Sequence, residues 1–344
     1  PYEFNAGNGY SQTVTGTIGR AQQQHFFFRI PAGTPAFKVD MTGGGTAAGA
    51  GQIRFLRWHP WGLGIESNAV SNCYNPPMPV PPTPPGLTNC NGTQSPTSRT
   101  VSNPQAGVWE VSLDTRRTSD ADFTSFTLTG TILGASVSPN PDTIASAAVG
   151  APVARSYTLT NLFGAFTGRA VGTALGSAKL QTPTIANLEV QEYLVDVTAG
   201  STSLRATIGS PSDPGADLDL FVYNCTSGTC VLAGQNADGD SEESVTIPNP
   251  AAGSWKVVVD GFAVPAGTTT YKYVDVFANP AFGSVAVTDA NALRPPGASW
   301  TVPGTVTANA APAAGRVLLG NVQVRTDTNV LVGSGDVIVE SVTP

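Results

Sequence analysis

Charged side chains are scarce in this chain of 344 residues, because Asp, Glu, Lys and Arg together make up 12% of it. Soluble domains average about a quarter, so Ser, Thr, Asn and Gln have to supply most of the solubility. The net charge is −7, and no run of Lys or Arg is long enough to follow a phosphate backbone. The sequence therefore predicts no nucleic-acid partner.

Long apolar runs are also missing. A membrane-spanning helix needs about 20 consecutive apolar residues, and no stretch approaches that length, so the sequence predicts no membrane span. The chain starts at Pro1 without a Met and shows no signal peptide. We therefore expect a processed product or an excised fragment.

Only four cysteines are present, which leaves three disulfide connectivities open. We favour Cys73 with Cys90 and Cys225 with Cys230, because each pair closes a local loop in a turn-rich segment. Neither spacing resembles a zinc site, and no histidine lies near enough in sequence to complete one. Structural disulfides of this kind indicate a secreted, extracellular protein.

Glycine and proline are abundant instead, with 38 Gly and 28 Pro. Together with frequent Thr, Val and Ala, they favour many short strands joined by tight turns. The length suits two to four domains. We therefore predict an all-β protein of tandem β-sandwiches.

Two strands are clearest in the second half of the chain. Residues 217–223 alternate between Leu or Val on one face and Asp or an aromatic residue on the other. After a polar, acidic loop and a Gly turn, residues 253–260 place Trp255, Val257 and Val259 on one face. Both patterns are typical of half-buried strands.

The same sequence pattern occurs earlier in the chain. Residues 25–33 match residues 192–200 position by position, and residues 106–111 match residues 252–257. Matching apolar positions and turns in the same order indicate one sandwich used twice. Trp109 and Trp255 occupy equivalent positions, so we expect both in the cores.

We divide the chain into four successive units. Residues 1–134 form a sandwich with a long Pro-rich loop, and residues 185–279 form its repeat. Residues 135–184 and 280–344 form smaller β-units of immunoglobulin-like or fibronectin-like type. The Pro-rich loop is a candidate partner site or lid, since polyproline segments are stiff.

The repeat at 185–279 resembles the bacterial pre-peptidase C-terminal domain (PPC), a jelly-roll module. The resemblance rests on residues 217–223, 240–246 and 250–255. The whole arrangement also looks like the C-terminal region of large secreted subtilisin-like serine proteases of actinobacterial type, chiefly through residues 107–111 and 114–119.

This resemblance implies a non-catalytic accessory region. A subtilisin-like catalytic domain carries Asp-Ser/Thr-Gly, His-Gly-Thr-His and Gly-Thr-Ser-x-Ala-x-Pro motifs, and none of them occurs here. His25 and His59 are the only histidines, and we expect neither to act as a catalytic base. The chain is therefore predicted not to be an enzyme, and its parent protein to be a serine endopeptidase.

Acidic residues gather in the second sandwich, which makes calcium the one candidate cofactor. Oxygen ligands at this density suit Ca²⁺, although solvated loop acids that discourage edge pairing are the simpler explanation of the pattern. The first sandwich has Gln52 and Arg54 where the second has two aspartates, so any metal would belong to the second. The candidate ligands are Asp217, Asp219, Asp238, Asp240 and Glu242.

Two aromatic residues of the long loop, Trp61 and Tyr74, have no counterpart in the repeat. They are the candidates for ligand contact. The predicted partner is a protein or cell-surface polymer, or other copies of this chain. The alternative is a processed structural protein that self-assembles into extracellular fibres or a surface layer through its sandwich edges, which the low density of Lys and Glu favours.

Overall fold

A computed structural model describes residues 1–45, 49–65, 97–117 and 119–344. Nearly all regular structure in these ranges is β-strand, with short 3-10 helices at Ala6–Asn8 and Pro280–Phe282. No helix in the same ranges is long and apolar enough to cross a membrane. The predicted all-β class with tandem sandwiches is confirmed.

The first sandwich packs two antiparallel sheets around an aromatic core. One sheet has the order β1-β7-β3-β5 and the other has the order β2-β6-β4. Phe28, Phe37, Phe55 and Trp109 are fully buried between them. The strands are β1 (Ser11–Gly19), β2 (Gln23–Ile30), β3 (Ala36–Gly43), β4 (Arg54–Trp58), β5 (Ser98–Ser102), β6 (Gly107–Asp114) and β7 (Phe123–Leu133).

The second sandwich, which we call the inserted sandwich, repeats this layout. One sheet has the order β15-β20-β17-β18, and the facing layer contains β19-β16-β22. The strands are β14 (Thr184–Ala186), β15 (Val190–Val197), β16 (Ser203–Gly209), β17 (Asp217–Asn224), β18 (Val231–Asn236), β19 (Ser244–Pro248), β20 (Gly253–Ala263), β21 (Thr268–Thr270) and β22 (Lys272–Ala278).

The two sandwiches place their matching tryptophans in equivalent environments, as the sequence repeat predicts. Trp109 and Trp255 are buried on β6 and β20. Trp109 Nε1 donates to the carbonyl of Gln105 at 2.8 Å, and Trp255 Nε1 donates to the carbonyl of Ala251 at 2.9 Å. In both cases the acceptor lies four residues earlier in the chain. The repeat that is visible in the sequence is therefore also present in the structure.

A cross-strand contact between polar side chains is also repeated, with the two positions exchanged. In the first sandwich His25 Nδ1 lies 2.6 Å from Glu110 Oε1, between β2 and β6. In the inserted sandwich Lys256 Nζ lies 2.7 Å from Glu192 Oε1, between β20 and β15. His25 thus corresponds to Glu192 and Glu110 corresponds to Lys256, and the two side chains are in contact in both sandwiches.

The remaining strands form a single host sandwich, which corrects the expectation of two separate small units at 135–184 and 280–344. One of its sheets has the order β23-β25-β11-β8. The strands are β8 (Ala135–Ser138), β9 (Asp142–Ile144), β10 (Ala147–Ala148), β11 (Pro152–Asn161), β12 (Phe166–Gly172), β13 (Gly176–Gln181), β23 (Gly283–Val287), β24 (Ala292–Arg294), β25 (Ser299–Ala308), β26 (Val317–Thr326), β27 (Leu331–Val339) and β28 (Val342–Thr343).

Strand pairing explains why the host sandwich is a single unit. β11 pairs along its length with β25, and β12 and β13 both pair with β26. Each segment alone has too few strands to bury its apolar face, so the two complete one core. The chain therefore enters the host sandwich, leaves it for residues 185–279, and returns to it.

The host and inserted sandwiches share a continuous sheet. β13 lies between β22 of the inserted sandwich and β26 of the host sandwich, in a nine-stranded sheet. Relative to the inserted sandwich, β13 holds the place that β1 holds in the first sandwich, beside the strand equivalent to β7. Backbone hydrogen bonds consequently run without interruption from one sandwich to the other.

Candidate functional site

The acidic residues of the inserted sandwich gather where β17 begins. Leu218, Leu220 and Val222 are buried in the core, so alternation turns Asp217 and Asp219 to the other face. The loop between β18 and β19 folds against this strand. The backbone N–H of Leu218 donates to the carbonyl of Asp240 at 3.3 Å, and the loop is thereby held beside the two aspartates.

Three carboxylates of that loop converge. One oxygen from each of Asp238, Asp240 and Glu243 lies within 4.8 Å of the others. Asp238 and Asp240 are exposed, whereas Glu243 has no exposed surface. We call these three residues, with Asp217 and Asp219, the acidic cluster.

Glu243 is fixed by its backbone and by one of its two carboxylate oxygens. Its N–H and carbonyl exchange hydrogen bonds with Ile208 of β16 at 3.2 and 3.0 Å. Oε1 accepts from the backbone N–H of Asp238 at 3.3 Å. Within the described ranges, Oε2 is buried and has no hydrogen-bond partner.

Burial and mutual repulsion disfavour the charged forms of the cluster. The pKa of Glu243 is raised to about 7, mainly by desolvation and further by the charges of Asp238, Asp240 and Asp219. The pKa of Asp217 is raised by desolvation and by the charges of Asp238 and Asp240. That of Asp219 is raised by desolvation and by three other aspartates. The cluster thus holds more negative charge than its surroundings neutralise.

Of the five predicted metal ligands, Asp238 and Asp240 converge in the loop, Asp217 and Asp219 lie on the strand that the loop folds against, and Glu242 is not part of the group. The side chain of Glu242 turns away, and its Oε1 accepts from the backbone N–H of Ser210 at 2.6 Å. The neighbouring residue Glu243, and not Glu242, lies with Asp238 and Asp240. The sequence contains a signal for this exchange, because Val245 of β19 faces the core and two-residue alternation places Glu243, not Glu242, on the same side.

The structure describes one of the two aromatic residues predicted to contact a ligand. Trp61 is 56% exposed, and its ring stacks on His59 with centroids 4.6 Å apart. His59 in turn lies 4.6 Å from the ring of Trp109, so Trp61 also covers part of the core. Tyr74, Cys73, Cys90 and the Pro-rich run lie outside the described residues. Ligand contact by Trp61 stays a prediction.

The predicted pairing of Cys225 with Cys230 is confirmed. The bond closes the turn between β17 and β18. It also lies beside the core tryptophan strand, because the N–H of Cys225 donates to the carbonyl of Ser254 at 3.0 Å.

Replacing both Cys225 and Cys230 with Ser is expected to lower the free energy of unfolding by about 2 kcal/mol, because the short loop is no longer closed in the unfolded chain. Denaturant unfolding, followed by far-UV circular dichroism, measures the effect. Wild type and variant compared again in reductant provide the control, since the difference between them should then vanish. An unchanged midpoint without reductant contradicts the expectation.

Part of the inserted sandwich matches a family of known proteins. Residues 189–261 match the bacterial pre-peptidase C-terminal domain. This range contains β15 to most of β20, and thus the whole acidic cluster. The sequence resemblance over this part of the chain is therefore confirmed.

One curated relative is Pyrolysin of Pyrococcus furiosus, 27% identical over 108 residues, which are 31% of this chain and 8% of Pyrolysin. Among solved structures, Tripeptidyl Peptidase 2 aligns with all of this chain and 31% of its own, at 8% identity and a TM-score of 0.45. The periplasmic g-type lysozyme inhibitor PliG of Aeromonas hydrophila aligns with 30% of this chain and 87% of its own, at 16% identity and a TM-score of 0.23.

The chain spans less than a third of Pyrolysin and of Tripeptidyl Peptidase 2. Because both TM-scores are under 0.5, the structural likenesses support no conclusion about function. The family match is consistent with a chain that is not itself catalytic.

Proposed function

We propose that this chain is a non-catalytic accessory region of a secreted subtilisin-like serine protease, which it stabilises or directs to a protein or cell-wall surface. The observation that carries the proposal is the pre-peptidase C-terminal domain at 189–261. The similarity to part of Pyrolysin supports it. A serine mechanism for the parent enzyme, its actinobacterial type and its extracellular location belong to the same proposal.

The histidines support a role without bond-breaking chemistry. His25 lies on an open sheet face and is paired with Glu110. Ser112, which lies opposite His25 in the strand register, accepts a hydrogen bond from Trp58 Nε1 at 3.2 Å. The ring of His59 is stacked on Trp61 and lies at a tilt to the ring of Trp109. Each imidazole thus makes a structural contact.

A repeated row of side chains offers a surface for binding. In the first sandwich Glu110 lies between Phe27 and Trp58 across three strands. In the inserted sandwich Lys256 lies between Leu194 and Tyr223, and its Nζ is 5.6 Å from the centre of the Tyr223 ring. Phe27 is 44% exposed and Leu194 is 71% exposed. An apolar side chain, a charge and an aromatic ring therefore recur on the same face of both sandwiches.

Retention on insoluble collagen, chitin and cell-wall material tests the targeting role. We expect the chain to be retained on at least one of these materials. Replacing Phe27 and Leu194 with Ser should then weaken retention about tenfold, which corresponds to about 1.4 kcal/mol of lost contact energy.

The matched control replaces Phe123 and Leu293 with Ser, since these side chains are 71% and 66% exposed but lie outside the repeated row. Retention should be unchanged in this variant. Failure of the wild-type chain to bind any of the three materials would contradict the targeting role.

Self-assembly is the second candidate function, and the edge of one sheet favours it. β18 is the last strand in the order β15-β20-β17-β18, and Val231 and Leu232 on it are 62% and 45% exposed. Exposed edge strands of this kind add further strands. Size-exclusion chromatography over a wide concentration range separates the two functions, because a monodisperse monomer argues against assembly.

A further inference from the structure

We propose that the inserted sandwich binds one Ca²⁺ between the start of β17 and the loop that joins β18 to β19. The ligands are the carboxylates of four residues: Asp217, Asp238, Asp240 and Glu243. Asp219 and Asp260 lie beside them and add negative charge. This site is separate from the repeated surface row, and its ion would fasten two segments of the inserted sandwich together.

The first argument is that the cluster contains buried oxygens without partners. Glu243 is completely buried, its Oε2 has no hydrogen-bond partner among the described residues, and an oxygen of the same carboxylate lies within 4.8 Å of those of Asp238 and Asp240. Asp217 Oδ1 is likewise buried without a partner in that part of the chain. A buried carboxylate without a partner is destabilising, and it is relieved either by a proton or by a bound cation.

The second argument comes from the internal repeat. In the first sandwich Arg54 pairs with Asp114 across β4 and β6, with Nε–Oδ1 at 2.8 Å and Nη2–Oδ2 at 2.7 Å. At the corresponding position of the inserted sandwich, Asp219 faces Asp260 across β17 and β20. The first sandwich thus supplies a guanidinium where the inserted sandwich places a second carboxylate. A bound cation restores the charge balance that the Arg provides in the first sandwich.

The chemistry of the ligands selects calcium. All four are carboxylates, and no nitrogen or sulfur ligand belongs to the cluster, which fits a hard cation rather than zinc. Oxygens on opposite sides of Ca²⁺ lie about 4.6–5.2 Å apart, whereas Mg²⁺ brings them to about 4.0–4.2 Å. The three loop oxygens lie within 4.8 Å of one another, inside the span of a Ca²⁺ shell, and Ca²⁺ also accepts irregular shells of carboxylate oxygens, whereas Mg²⁺ needs a near-ideal octahedron.

The loop is already arranged for this role. Ser241 is buried, and its Oγ donates to the carbonyl of Ala216 at 2.6 Å. Glu243 is fastened to Ile208 of β16 by two backbone hydrogen bonds. The ligands are consequently held by two separate contacts before any ion binds, and little loop ordering has to accompany binding.

Thermal unfolding of the purified full chain tests the site. After dialysis against EGTA, millimolar Ca²⁺, the range in which extracellular calcium modules bind, should raise the melting temperature by about 3 °C or more. Mg²⁺ at the same concentration should not. Calorimetric titration should show one Ca²⁺ per chain. No rise with Ca²⁺, or an equal rise with Mg²⁺, overturns the proposal.

Two neighbouring variants identify the ligand. Glu243→Gln keeps the shape of the side chain and removes its charge, so it should abolish the Ca²⁺ shift and melt above the wild type in EGTA. Glu242→Gln is the matched control and should keep the full shift, because Glu242 faces Ser210. A Ca²⁺ shift that persists in Glu243→Gln overturns the assignment.

A further variant covers the case in which Glu243→Gln does not fold. Asp240 is exposed, so Asp240→Asn is expected to fold, and calorimetry should then detect weakened Ca²⁺ binding, by about tenfold or more. Unchanged affinity in this variant overturns the proposal.

Discussion

Replacing Trp109 or Trp255 with Ala is expected to lower the free energy of unfolding of its own sandwich by about 3–5 kcal/mol, the range observed when a large buried aromatic is truncated. Both rings are buried between two sheets. Each also loses the hydrogen bond that its Nε1 donates to a carbonyl four residues earlier. The truncation therefore creates a cavity and leaves a carbonyl without its partner.

Differential scanning calorimetry measures this effect on each sandwich. Trp61→Ala serves as the control because its ring is 56% exposed, and it should change the unfolding free energy by less than about 1 kcal/mol. Trp109→Ala and Trp255→Ala should lower the free energy of unfolding by similar amounts, since the two tryptophans have equivalent environments. If only one of them is destabilised, the two tryptophans do not have equivalent roles.

Replacing Arg316 with Met is expected to cost about 3–5 kcal/mol, because it leaves a buried carboxylate without its cation. Asp275 on β22 has no exposed surface. It pairs with Arg316 and also accepts from the hydroxyl of Tyr273 at 3.0 Å. Arg316 Nε donates to Ser177 Oγ of β13 at 2.7 Å. The guanidinium therefore joins the inserted sandwich to the host sandwich where their sheets merge.

Lys38→Met is the matched control for this variant. The side chains of Lys38 and Asp40 are 37% and 36% exposed, and their charged atoms lie 3.1 Å apart. Loss of such a pair costs at most about 1 kcal/mol. Combining Arg316→Met with Asp275→Asn should recover part of the stability, because the unpaired charge is gone. Chemical denaturation of the wild type, the two single variants and the double variant measures these free energies of unfolding. Equal losses in Arg316→Met and Lys38→Met would contradict the prediction.

The repeated sandwich was predictable because its signals are local. Alternation at residues 25–30 and 192–197, followed by Gly33 and Gly200, fixes a strand and its turn from a few neighbouring residues. Both glycines have positive φ, at 73° and 82°, a conformation that favours glycine. Trp109 and Trp255 then set the register of the matching strand. The acidic cluster was found by the same kind of reading, except for Glu243.

The host sandwich was not predictable in this way. Its longest pairing joins residues 152–161 to residues 299–308, and alternation within a strand does not identify a partner so far along the chain. In the sequence, the repeat at 185–279 suggests a boundary between separate units, whereas in the structure it is an insertion. Only the pairing itself shows that β11 and β25 belong to one sheet.

The position of the insertion dictates the order in which the parts of the molecule are completed as the polypeptide emerges from the ribosome. The first sandwich has all its strands once residue 133 has been made. β11 has to wait for β25, nearly 140 positions later, before its open edge is covered. A nascent chain that stops between β22 and β25 therefore has an unpaired edge on β11 next to an inserted sandwich whose strands are all present. Products that terminate in this interval should accordingly aggregate more readily than chains that include β25.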